Sequence, residues 1–104
     1  MLNPLQKVAV FLFMIGLEKG RKIMDLMDSA EIKNIFSEFG KLAEVSSDVQ
    51  ESVWYEFAQL GYEAEMNPAE TLYVLRQLFN GGKITDKEKN SYRKNSRSQN
   101  RFSR

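Results

Sequence analysis

Chemistry in this 104-residue chain would have to start from three places. Asp25/Asp28 and Glu63/Glu65 are closely spaced carboxylates, the residue type that holds divalent cations or divides acid and base roles between two groups. Gly81-Gly82-Lys83 sets a lysine behind two glycines, as phosphate-cradling loops do. Each has a plainer reading. The carboxylates fall on polar helix faces, where solvated charge is ordinary. The glycines lack the G-x-x-x-x-G-K-[ST] spacing and follow a helical pattern that they are suited to stop. Histidine and cysteine are both absent. That removes the commonest general base, the commonest transition-metal ligand, and all thiolate or disulfide chemistry. The expectation is a protein that is not an enzyme, with no metal site and no cofactor.

The elements that would position any site read as helices. Both prolines, Pro4 and Pro68, follow an asparagine. Asn-Pro combines a capping side chain with a preset φ at the first helical position, so helices should open at both places. The first runs from Asn3/Pro4 to Gly16. A second covers Glu18 to Met27, with Ile23, Met24 and Met27 at helical spacing. Asp28-Ser29-Ala30-Glu31 has the form of a capping box and opens a third, with Ile32, Ile35, Phe36 and Phe39 inward and Gly40 near its end. Ser47-Asp48-Val49-Gln50 reads as a capping box for a fourth helix reaching Met66. Its apolar stripe is Val49, Val53, Phe57, Leu60 and Ala64, with Trp54 at the edge and assigned to the core. The fifth runs to Phe79 and stops at Asn80-Gly81-Gly82. Period-two alternation is missing, so the fold class is all-α: a compact array of about five helices.

Two features need more than a core to explain them. Val8 to Ile15 is a run of eight apolar residues, too short for the roughly 20 that span a bilayer. No signal-peptide pattern surrounds it, so the chain reads as cytoplasmic. Leu5, Val8, Leu12 and Ile15 share one face of this helix, while Val10, Phe13 and Met14 lie largely on the other. Either the helix is central and enclosed, or its second face meets a partner. Tyr55 and Tyr62, seven residues apart on the fourth helix, suit an interface in the same way, being apolar in body and polar at the tip.

The net charge of +1 conceals a division. Residues 1–82 carry seven Lys/Arg and twelve Asp/Glu, and residues 83–104 carry eight and two. Only Ile84, Tyr92 and Phe102 are large and apolar after position 82, too few to offset the entropy of ordering that segment. Residues 1–82 are expected to form one helical domain and residues 83–104 a disordered basic tail. Such a tail reads first as solvated and non-specific; through Arg93, Lys94, Arg97 and Arg101 it is also suited to an anionic membrane surface or acidic partner, or to nucleic acid. Tyr92 and Phe102 are a weak base-stacking signal.

The stretch PLQKVAVFLFMIGLEKGRKIMDLMDSAEIKNIFSEFGKLAEVSS resembles the start of the N-terminal domain of the flagellar rotor switch protein FliG. The matching positions are Gln6, Lys7, Ala9, Leu12, Gly16, Ile23, Leu26, Asp28, Glu31, Ile32, Leu42, Val45 and Ser46. NPAETLYVLRQLFNGG looks like the family's next amphipathic helix, so the resemblance covers about residues 3–82. The N-domain of MgtE-type magnesium transporters, with related helical repeats, is the nearest alternative. What the resemblance to FliG implies is a scaffold at the inner face of the cell membrane, in the flagellar basal body. It would bind the C-terminal helices of the MS-ring protein FliF, associate with neighbouring copies around the ring, and reach the membrane through its partner. The residues assigned to partner binding are Val10, Phe13, Met14, Tyr55 and Tyr62. Phe11, Phe13 and Met14 are bulkier than the family pattern, which implies a differently shaped groove. The middle and C-terminal domains of a full switch protein have no counterpart here; an isolated domain, a truncated paralogue and a specialised family member all fit. The competing reading is a regulatory or nucleic-acid-binding helical protein that acts through its basic tail.

Overall fold

Side chains at three of the helix starts do what their spacing predicts. Asn3 Oδ1 accepts the Gln6 N–H at 2.8 Å while Gln6 Oε1 accepts the Asn3 N–H at 3.1 Å. Asn67 and Glu70 form the same reciprocal pair at 2.8 and 3.0 Å, and Asp28 and Glu31 form it at 2.9 and 3.1 Å. Each such cap is worth about 1 kcal/mol. A computed structural model describes residues 2–42 and 44–85. They form α1 (Pro4–Ile15), α2 (Leu17–Met24), α3 (Ser29–Lys41), α4 (Ser47–Gln59) and α5 (Pro68–Arg76), followed by a 3-10 turn, Gln77–Phe79. The fold is all-helical.

Three boundaries differ from expectation, each for a local reason. α2 ends at Met24 because the Leu26 and Met27 N–H groups bond three residues back, to Ile23 and Met24. This tight turn frees Asp28 to cap α3. α4 is capped by Ser46, whose Oγ accepts the Val49 N–H at 3.2 Å. Gln50 donates to the Val45 carbonyl, so the box expected at Ser47 does not form. α4 stops at Gln59, well short of Met66, because Gly61 takes φ +109°, open in practice only to glycine. The Tyr62 N–H then closes the helix end on the Phe57 carbonyl at 3.0 Å. The stop after α5 falls as predicted, with Asn80 left-handed and the Gly81 N–H on the Arg76 carbonyl at 2.9 Å.

α1 is the middle of the molecule. It packs against α2, α3 and α4, and every residue from Val8 to Leu12 is buried. A helix surrounded in this way has no wet face to keep polar. Phe11 is the hub on the α4 side: its ring lies 4.7 Å from Phe57, 4.9 Å from Tyr62 edge-on, and 5.7 Å from Trp54 in a stacked pair. Replacing Phe11 by alanine should cost about 3–5 kcal/mol in urea unfolding, whereas Phe13→Ala, at an exposed position, should cost about 1 kcal/mol or less. The reverse order would mean that the core lies against the other face of α1.

Candidate partner-binding surface

The central position of α1 sorts the five residues assigned to partner binding. Val10 is fully buried and belongs to the core, because α2, α3 and α4 close around α1 at that level, which argues against its assignment to a surface. Met14 is half-buried and packs against the core. Phe13 is 56% exposed. Its neighbour is Phe39 of α3, at 5.9 Å between ring centroids. Phe39 and Phe36, expected to face inward, are themselves exposed, Phe36 to 58%. The inward side of α3 is narrower than expected, formed by Ile35 and the partly buried Ile32. Phe13, Phe36 and Phe39 thus leave an aromatic patch at the C-terminal ends of α1 and α3.

Tyr55 and Tyr62 do not join it. Phe11, whose side chain is about 200° around α1 from that of Phe13, leads to the α4 side, where Trp54, Tyr55 and Tyr62 lie. Tyr62 is half-buried, edge-on to both Phe11 and Trp54, and burial, reinforced by Glu65, pushes its phenol above the ordinary value of 10.0. Trp54, expected in the core, is 43% exposed and Tyr55 is 68% exposed. Trp54 is thus more exposed, and Tyr62 more buried, than sequence spacing predicts. The reason is the early stop of α4: Tyr62 lies beyond the helix, and the Gly61 turn brings it back over Phe11. Arg93, Lys94, Arg97 and Arg101 lie outside the described residues.

Sequence reading finds Glu31 as a capping residue but not its second role. Glu31 is fully buried, yet its carboxylate is saturated with donors. Arg76 gives it two hydrogen bonds, Nη2 to Oε1 at 2.7 Å and Nε to Oε2 at 3.0 Å. The Ile84 N–H adds a bond at 2.9 Å and the Asp28 N–H another at 3.1 Å. Asn34 donates to the Ile84 carbonyl at 3.3 Å, and Lys83 pairs with Asp28. Ile84 is itself fully buried, so the chain stays packed two residues beyond position 82, where the tail was expected to begin. An apolar residue just after the glycine stop was the available signal. Burial alone would raise the Glu31 carboxyl, but Arg76 and the Ile84 and Asp28 N–H groups together hold it below the ordinary value of 4.5.

The family model of the FliG N-terminal domain matches residues 1–80. The chain belongs to that family. No curated protein matches it, and no solved structure does. The FliG N-terminal domain family is a structural family of the flagellar motor, not a family of enzymes, and membership makes this chain a flagellar motor switch component. No described helix is long and apolar enough to cross a membrane.

Because folding lowers the pKa of Glu31, its ionised form favours the native state. That contribution is complete above pH 4.5 and disappears as pH falls through the lower native value. Urea midpoints should therefore drop on acidification below 4.5, and less steeply in Glu31→Gln. Arg76→Met leaves a buried carboxylate without its countercharge and should cost about 3 kcal/mol near neutral pH. That loss should shrink as acid protonates Glu31. An Arg76→Met penalty independent of pH would show that the ion pair is not its source.

Proposed function

We propose that this domain is a non-enzymatic adaptor on the cytoplasmic side of the flagellar basal body. Its exposed aromatic patch receives amphipathic C-terminal helices of the MS-ring protein FliF and so attaches the switch ring to the rotor. Family membership supports the setting. The observation that carries the contact is Phe13: α1 is otherwise enclosed by α2, α3 and α4, yet this ring stands out of its end beside Phe39. Three aromatic rings on the ends of two packed helices suit the apolar stripe of an incoming helix, because rigid rings lose little entropy on docking. Met14, next to Phe13 in the chain and half-buried against the core, adds an adaptable apolar neighbour. Neighbouring copies pack side by side around the ring in this reading, and the membrane is reached only through the partner.

Calorimetry with a peptide from the FliF C terminus tests the assignment. Exposed aromatic anchors at interface centres contribute about 2 kcal/mol, so Phe13→Asp and Phe39→Asp should each weaken binding about thirtyfold. Both positions are exposed, so circular dichroism should show the fold retained. No binding by the folded domain at tens of micromolar would remove FliF as the partner. Unchanged affinity in both variants would move the contact elsewhere on the domain.

A further inference from the structure

We propose that the outward face of α4 is the docking surface for the chain's own basic segment, residues 87–104. The inward face of α4 is spent on the core through Val53 and Phe57, while Trp54 and Tyr55 are exposed to 43% and 68%. The Trp54 ring is held in place by its stacked contact with Phe11 and by the edge of Tyr62. It is a fixed platform, so a ligand that settles on it immobilises little that was free before.

The charge around that platform states what kind of ligand it takes. Glu51 lies three and four residues before Trp54 and Tyr55, on the adjoining turn of the helix, and Asp48 lies one turn earlier. Both carboxylates are exposed, and neither has an ion-pair partner among the described residues. Glu56, by contrast, pairs with Lys7 at 2.9 Å. From Leu42 to Leu75 the chain holds seven acidic residues and no lysine or arginine. An aromatic surface beside exposed carboxylates without ion-pair partners selects a cationic segment, above all one with arginines, whose guanidinium planes stack on rings while pairing with carboxylates.

Residues 87–104 have that chemistry: seven lysines and arginines against a single glutamate, with Lys89, Arg93, Arg97 and Arg101 recurring at every fourth position. They also have the reach. The chain is anchored at Ile84 by Glu31 and Asn34. The 19 residues after Thr85 can extend about 60 Å, more than the 45 Å long axis of the molecule. Tethering supplies a local concentration of about a millimolar, so even a weak charge contact is populated within one molecule. The docked segment covers Trp54 and Tyr55, neutralises much of the acidic side, and leaves the Phe13 patch free.

Trp54 is the only tryptophan, so its fluorescence reads this surface in the full chain. Acrylamide, which is uncharged, should quench Trp54 about twofold more strongly once about 0.5 M NaCl screens the contact. The same increase should appear at low salt in the triple variant R93Q/R97Q/R101Q, and also in D48N/E51Q, with circular dichroism and the urea midpoint showing each fold intact. The shielding should not depend on protein concentration while sedimentation shows a monomer. Equal quenching in the parent and the triple variant overturns the proposal. So does shielding that grows with concentration, because the occupant is then a second copy's segment or another molecule.

Discussion

Enclosure of α1 is the constraint on which the rest of the domain depends. Five consecutive residues, Val8 to Leu12, are out of water, a condition that a helix meets only when neighbours close around it. That requires three helices within side-chain reach, and α2, α3 and α4 supply them. It also requires tight reversals between them. The Gly16 joint separating α1 from α2, and the Gly61 stop at the end of α4, both use positive φ values, at +96° and +109°. The apolar run that looks like an incomplete membrane segment is instead the axis of a small soluble-type core, where polar groups would have no partners.

A second constraint ties the ends of the domain together. Glu31 begins as a capping residue of α3, a role visible in four consecutive letters. It also accepts Arg76 from the end of α5 and the backbone N–H of Ile84 beyond it. A buried carboxylate is costly unless several donors face it, and here four hydrogen bonds from three residues do so. The arrangement joins the start of α3, the end of α5 and the backbone of Ile84 at one point.

Around this core the surface divides. Phe13, Phe36 and Phe39 stand at the ends of α1 and α3, and Trp54 and Tyr55 stand on α4, with the core between them. The first patch borders helices with charges of both signs, whereas the second lies in the uniformly acidic stretch from Leu42 to Leu75. The ligands proposed for these two places, an apolar helix and a cationic segment, differ accordingly. The two proposed contacts therefore use separate surfaces.

The sequence by itself determined the helical class, the caps at Asn3, Asp28 and Asn67, the stop at Asn80-Gly81, and the family of the FliG N-terminal domain. These follow from residues within a few positions of one another, where capping chemistry and apolar periodicity act. Tertiary structure decided which apolar residues face water. Val10 went to the core and Trp54, Phe36 and Phe39 to the surface, because a helical wheel ranks faces but cannot tell how many neighbours a helix has. It also decided the partnership of Glu31 with Arg76, 45 positions apart, and the capture of Ile84. Contacts at such separations depend on how the helices are stacked, and no local pattern of residues encodes that.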